Sequence, residues 1–386
     1  MTSLDSYVTV GRSGLRVSPL SLGTMTFGED IGWGSTPEAA HAILAEYLDR
    51  GGNSIDTANI YTNGHSEKII GDFFADRPEA RDRVVLGTKF YATLHPGDPN
   101  AGGAGRKAMV ASLEESLRRL RTDYVDLLWL HSWDPPVPLD ETLRALDDLV
   151  TAGKVRHIGI CNVPAWVSSR AHTIAQFRGW SPVTAMQIEY SLLERTAEGE
   201  LLPMARELEI GVMPWSPLRG GKLSGKYERE GNTADSARAA VLDRPTEQEW
   251  TVIDAVTDVA TELDVTPAQV ALAWLRGRPA VVSTITGART QEQLRTNLAS
   301  LAITLTPHQR HILDAASEPT LDSRLGQCWP RPSARIRGLD RRRRAPPDLA
   351  RADQERHTVL TSGYGVNAQE LLTLGPLRRR FCVSDS

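Results

Sequence analysis

Three ionisable side chains stand at the carboxyl ends of three successive apolar runs: Asp56 closes NSID, Lys89 follows VVLGT, and His131 follows VDLLWL. A carboxylate, an ammonium and an imidazole can together hold and relay a proton, and an amine so placed can also attack a carbonyl carbon. Singly, each has a structural explanation: Asp56 as a turn former, Lys89 as a side chain snorkelling out of a buried strand, His131 as a core histidine. Three of them on consecutive runs point to one shared site. Later runs end on polar groups too, at Cys161 and Asn162, Gln187, and Trp215 and Ser216. The familiar phosphate-binding glycine patterns are absent. The first strand-to-helix turn reads LGTMTFG instead of G-x-G-x-x-G, and GGAGRK (Gly102 to Lys107) has the wrong spacing for a P-loop. Cys161, Cys328 and Cys382 are too few and too far apart for a disulfide framework or a zinc knuckle, and no metal is expected.

The elements that must position these groups alternate in type. Eight β-rich runs begin with PLSLG (from Pro19), NSID (from Asn53), VVLGT (from Val84) and VDLLWL (from Val125). They continue with VRHIGI (from Val155), VTAMQI (from Val183), IGVMPW (from Ile210) and VVSTIT (from Val281). Between and after them lie stretches of helical period: Glu38–Leu48, Ser66–Phe74, Arg106–Arg119, Asp140–Thr151, Pro164–Gln176, Glu200–Glu207, Thr246–Leu263 and Thr290–Ser300. Eight strands each followed by a helix is the count of a (β/α)8 TIM barrel, whose chemistry sits at the carboxyl ends of the strands. YVTV and LRVS, joined through Gly-Arg-Ser-Gly, predict an N-terminal hairpin cap, and Pro307–Ala316 predicts a closing helix.

The 386 residues carry a net charge of −4, but unevenly. Residues 319–386 hold 13 Arg, no Lys and 7 acidic side chains, so a tail of +6 follows a body, 1–318, of −10. The tail has many Arg and Pro and no sustained period, and it reads as a low-order segment. Its four arginines from Arg341 read as a solvated charge run, so no nucleic-acid partner is expected. No apolar stretch is long enough for a membrane span, and Met1 to Arg12 lacks the basic start and apolar run of a signal peptide, so a cytoplasmic protein is expected.

Several motifs, in order over residues 7 to 318, resemble the aldo-keto reductases: SIDTANIY (Ser54 to Tyr61), GTK (Gly87 to Lys89), DYVDLLWLH (Asp123 to His131) and GICN (Gly159 to Asn162). QIEYSLLER (Gln187 to Arg195), PWSPLRGGKLSGKY (Pro214 to Tyr227) and GARTQEQLRTN (Gly287 to Asn297) continue the resemblance. It implies reduction of an aldehyde or ketone by NADPH, with Asp56, Tyr61, Lys89 and His131 as the catalytic set. Tyr61 would give the proton to the developing alkoxide, with Lys89 lowering its pKa. Asp56 would hold Lys89 charged, and His131 would orient the carbonyl oxygen. The resemblance also implies a cofactor lying extended across the barrel mouth. Thr24, Met25, Asp56, Cys161, Asn162 and Gln187 would stand around its nicotinamide, with Trp215 stacked on the ring. Ser216, Leu218 and Lys226 would face the pyrophosphate, and Gly287, Arg289, Gln293 and Asn297 the adenosine end. An arginine there suits a 2′-phosphate and so favours NADPH over NADH.

Cys161 stands where many members carry serine, and the tail departs from the family pattern altogether. Met25, Phe27, Trp33, Tyr91 and Trp133 fall on or just after strand ends and predict an aromatic wall suited to a bulky carbonyl compound. Two other readings compete with a reductase: a Schiff-base aldolase using Lys89, and a cofactor-sensing regulatory subunit without turnover. The sequence does not choose the substrate, the direction of reaction or the oligomeric state.

Overall fold

A computed structural model describes residues 3–229 and 244–321. The expectation of a low-order tail lies, beyond Leu321, outside the described residues. Strands β1 (Val8–Thr9) and β2 (Arg16–Val17) pair antiparallel as the expected hairpin. Eight parallel strands then follow: β3 (Leu20–Gly23), β4 (Ser54–Asp56), β5 (Val85–Phe90), β6 (Val125–Leu130), β7 (Val155–Cys161), β8 (Val183–Glu189), β9 (Gly211–Trp215) and β10 (Thr284–Gly287). Their order is β10-β3-β4-β5-β6-β7-β8-β9. The ring closes at Val212 of β9, whose N–H donates to Ala280 O while its carbonyl accepts from Val282 N, both at 2.9 Å. The chain is therefore a (β/α)8 barrel.

Two apolar layers hold it together. Leu127, Trp129, Ala185, Met213 and Ile285, all facing inward from their strands, cluster with Val10 and Val17 of the hairpin, which plugs the amino end. Two glycines make this packing possible. A Cβ on Gly159 would stand 2.2 Å from the Trp129 ring. Gly11, at φ +51°, brings the hairpin turn so close that a Cβ there would meet Thr184 O at 2.4 Å. The second, larger cluster lies between the outer strand faces and the helices. Parallel strands covered on both faces are buried along their whole length, as β6 and β8 are almost throughout.

The helices are α1 (Pro37–Asp49), α2 (His65–Ala75), the single turn α3 (Pro78–Arg81), α4 (Arg106–Leu120), α5 (Leu139–Thr151), α6 (Ala165–Arg178), α7 (Leu201–Glu207), α8 (Glu247–Leu263), α9 (Pro267–Arg276), α10 (Gln291–Ala299) and α11 (Pro307–Ala316). The sequence reading places one helix, 246–263, between the seventh and eighth barrel strands; the described residues there hold two. The barrel position belongs to α9, which packs on β10 and α10, while α8 lies outside it against α9 and α11. The start of α9 is written in residues, with Thr266 as N-cap, Pro267 in the first turn and Gln269 closing a capping box. The eighth strand also starts at Thr284, not Val281. Ala280, at φ +67°, breaks the extended run, and Val281–Val282 serve only the closing bridge.

Candidate active site

Side chains alternate along a strand, so the residue two positions beyond an inward core residue faces the barrel mouth. His131 follows Trp129 in this way, Gln187 follows Ala185, Trp215 follows Met213, and Gly287 follows Ile285. Lys89 and Cys161 likewise stand two residues beyond Gly87 and Gly159, whose missing side chains leave room for Trp129. The alternation that fills the barrel thus sets a ring of polar groups on top of it.

Lys89 is buried at the centre of the ring. Its ammonium is ion-paired with Asp56 Oδ2, and it donates to Thr57 O at 2.9 Å and to the Tyr61 hydroxyl at 3.0 Å. Three donors meet three acceptors, so the group is fully used. Asp56 Oδ1 accepts from Gln187 Nε2 at 2.5 Å, and Thr24 N–H and Oγ1 both donate to Asp56 O at 3.0 Å. Tyr61 opens a tight turn, Tyr61–Gly64, and its ring meets that of His131 edge-on, centroids 6.1 Å apart at 80°. His131 N–H donates to Phe90 O, fixing the start of the loop after β6.

Burial governs the protonation of these groups. For Lys89 burial acts downward, but Asp56 above all, with Tyr61 and Cys161, raises the ammonium above its usual range, so it stays charged. His131 is pushed down to about 3, by burial first and the Lys89 charge second, and is a neutral imidazole at neutral pH. Burial pushes the Cys161 thiol up to about 12. Tyr61 differs from the sequence expectation. Burial raises its phenol and outweighs the downward pull of Lys89, so it lies above the ordinary tyrosine value. The phenol is therefore protonated across the neutral range.

From this cluster a cleft of about 790 Å³ runs to the amino end of α10. Every residue assigned above to catalysis or cofactor binding is on its walls. Asn162 and Ser216 turn the chain just past β7 and β9 in left-handed conformation, φ +53° and +55°. Trp215 Nε1 donates to Asn162 Oδ1 at 3.2 Å. Gln293 Oε1 accepts from Arg289 N–H at 2.9 Å, and Asn297 Nδ2 donates to Thr286 Oγ1 at 3.0 Å. Among the described residues no carboxylate pairs with the Arg289 guanidinium.

Of the expected substrate wall only Met25 lines this cleft. Phe27 is fully buried in the outer core and is corrected to a packing residue: it is carried inward where its backbone bridges Ser35. Tyr91 and Trp133 are half-buried against the same core, Trp133 meeting Trp166 edge-on, and Trp33 is half-buried and likewise off the cleft walls. The sequence reading did not single out Gly220, Gly221, Thr266 or Thr290, which also line the cleft. Thr266 and Thr290 were legible as helix N-caps, the former only once α9 is recognised.

The model of the aldo/keto reductase family matches residues 19–318. An uncharacterized oxidoreductase of Bacillus subtilis, YrpG, is 40% identical over 309 residues, 78% of this chain and 92% of its own. A norsolorinic acid reductase of Emericella nidulans is 36% identical over 310 residues, 77% of each chain. An aryl-alcohol dehydrogenase of Pestalotiopsis microspora is 35% identical over 299 residues, 76% of this chain and 77% of its own. With a buried cluster of ionisable groups at the mouth of the barrel and a match across nearly all the described residues, the chain belongs to the aldo/keto reductase family and is an oxidoreductase.

Proposed function

We propose that the protein reduces an aldehyde or ketone with NADPH, with Tyr61 as general acid. The observation that carries this is the contact of Tyr61 OH with Lys89 Nζ at 3.0 Å, on an ammonium whose remaining donors are held by Asp56 and Thr57. Reduction of a carbonyl leaves charge on its oxygen, and a protonated phenol within hydrogen-bond reach can neutralise it. Tyr61 would donate from its hydroxyl oxygen, and the fixed ammonium would stabilise the negative charge left there. His131, neutral and edge-on to Tyr61, can donate a hydrogen bond to the same carbonyl oxygen without carrying charge.

The cleft suits a nicotinamide dinucleotide, which when bound supplies the hydride. Its volume is in the range of ligand sites, ~300–1,000 Å³. Asn162, Gln187 and Trp215 lie near the catalytic cluster, where they would hold and cover the nicotinamide. At the other end Arg289, with no carboxylate partner among the described residues, stands at the amino end of α10, a place that favours a phosphate. This arrangement supports NADPH over NADH.

The Schiff-base reading loses its basis in the same geometry, since a charged Lys89 with all three donors engaged has no lone pair to offer. The test is NADPH oxidation over a panel of aromatic and aliphatic aldehydes and ketones, starting from aryl aldehydes because of the similar aryl-alcohol dehydrogenase. Turnover lost in Tyr61→Phe supports the reading. Tight NADPH binding without turnover on any member of the panel would favour the regulatory subunit.

A further inference from the structure

The turn that carries Tyr61 is unusual in its backbone. Thr62 has φ 46°, ψ 42°, Asn63 φ 57°, ψ 35°, and Gly64 φ 88°, ψ −5°, three successive residues in the left-handed region. For asparagine and glycine that is tolerable, but for a β-branched residue it is a real outlier, held only at a cost in backbone strain. A strained residue persists only where its surroundings hold it, and those of Thr62 do so through its hydroxyl.

Thr62 is buried, 3% exposed. Its Oγ1 donates to Phe27 O at 2.7 Å and accepts from Ser66 N at 2.9 Å. Ser66, at 0% exposure, donates through Oγ to Thr24 O at 2.8 Å and lies 3.1 Å from Thr57 Oγ1. Thr24 in turn bonds Asp56 O with both its N–H and its hydroxyl. The hydroxyl of Thr62 therefore ties the Tyr61 turn to the strand ends that carry Asp56, and Thr57 O, an acceptor of Lys89, sits in the same knot.

We propose that Thr62 is a positioning residue for Tyr61: its buried hydroxyl holds a left-handed turn that would otherwise relax, and so keeps the phenol on Lys89 and facing the carbonyl. The proposal rests on Tyr61 being the acid. Reacting groups displaced by about 1 Å can lose on the order of 100-fold in rate, so a loosened turn acts on kcat more than on binding.

Valine is the informative substitution, because it keeps the β-branched backbone strain while deleting the hydroxyl, whereas glycine removes both. Four variants should be compared for kcat, KM for the carbonyl, and NADPH affinity by fluorescence: Thr62→Gly, Thr62→Val, Thr62→Ser and Tyr61→Phe. The expected result is a fall in kcat of about 10–100-fold for Thr62→Val and a smaller fall for Thr62→Gly, with KM and NADPH affinity within about twofold for both. Thr62→Ser, which keeps the hydroxyl, should stay within about threefold of the parent in kcat. Adding Thr62→Gly to Tyr61→Phe should cost less than about twofold more, since a misplaced acid that is already absent has nothing left to lose. The inference is overturned if Thr62→Val keeps the parent kcat, or loses only through KM, while Tyr61→Phe abolishes turnover. If Tyr61→Phe itself keeps the parent kcat, the reading of Tyr61 as acid falls, and this inference falls with it.

Discussion

Gln187, on β8, reaches Asp56, on β4, with its Nε2 2.5 Å from Asp56 Oδ1. This donor competes with burial, which pushes the Asp56 carboxyl up, while Lys89 and Gln187 pull it back. Gln187→Leu would leave a buried carboxylate oxygen without a donor, at a cost of about 1–3 kcal/mol, and would weaken the hold of Asp56 on Lys89. The expected outcome is a kcat lowered about 10-fold or more with thermal stability reduced by that amount. Kinetics and thermal unfolding of the same preparation check it.

The second prediction follows from His131, whose folded pKa of about 3 lies below the ordinary 6.5. The unfolded chain takes up this proton before the folded one does, so the contribution is complete above about pH 6.5 and is lost as pH falls from there toward 3. The slope from one such group is at most about 1.4 kcal/mol per pH unit. Urea unfolding between these pH values should show a shallower decline in His131→Asn than in the parent. Equal slopes would mean that His131 titrates normally in the folded protein.

A third prediction separates stability from chemistry. Arg195 is 8% exposed, pairs with Glu198 through Nε and Nη2 at 2.8 and 2.9 Å, and donates to Ser317 Oγ at 2.9 Å. It fastens the end of α11 to the loop after β8, and neither Arg195 nor Ser317 lines the cleft. Arg195→Ala leaves Glu198 still held by Arg278 and the Tyr190 hydroxyl, so only the bonds of Arg195 itself are lost; it should destabilise the protein by about 1–3 kcal/mol and leave kcat at low temperature nearly unchanged. A chain truncated after Pro319 keeps Ser317, and on composition alone its stability should stay within about 1 kcal/mol of the full chain.

The fourth concerns cofactor choice. If Arg289 binds a 2′-phosphate, Arg289→Ala should weaken NADPH by about 2–3 kcal/mol and leave NADH almost unchanged. Equal losses for both would mean that the guanidinium does not read the 2′-phosphate, since the main-chain bonds of Arg289 to Ser35 and Gln293 survive the substitution.

How far these features were legible in the sequence depended on the kind of signal. Barrel strands announce themselves as apolar runs because both faces are buried, and strand-end chemistry follows from period two, so Asp56, Lys89 and His131 could be read in order. Helix α9 was missed because its residues Val270 to Leu275 are all buried, which erases the amphipathic period; only its cap remained as a signal. Phe27 was misplaced because being near a strand end says nothing of which way a loop turns. The direction is set by Thr62 and by the Phe27–Ser35 bridge, contacts distant in sequence. The balance that raises the Tyr61 phenol was also beyond the sequence, since it depends on burial that only the folded cleft provides.

The central claim is that Tyr61 delivers the proton from its place on Lys89. Single-turnover and steady-state reduction of a carbonyl by NADPH, measured on Tyr61→Phe alongside the parent, tests it most directly. Tyr61→Phe should have a kcat lower by about 10²–10⁴ with NADPH affinity essentially unchanged, because the phenol would act on the transition state. A Tyr61→Phe protein that keeps more than about a tenth of the parent kcat, with hydride transfer as the slow step, would contradict it.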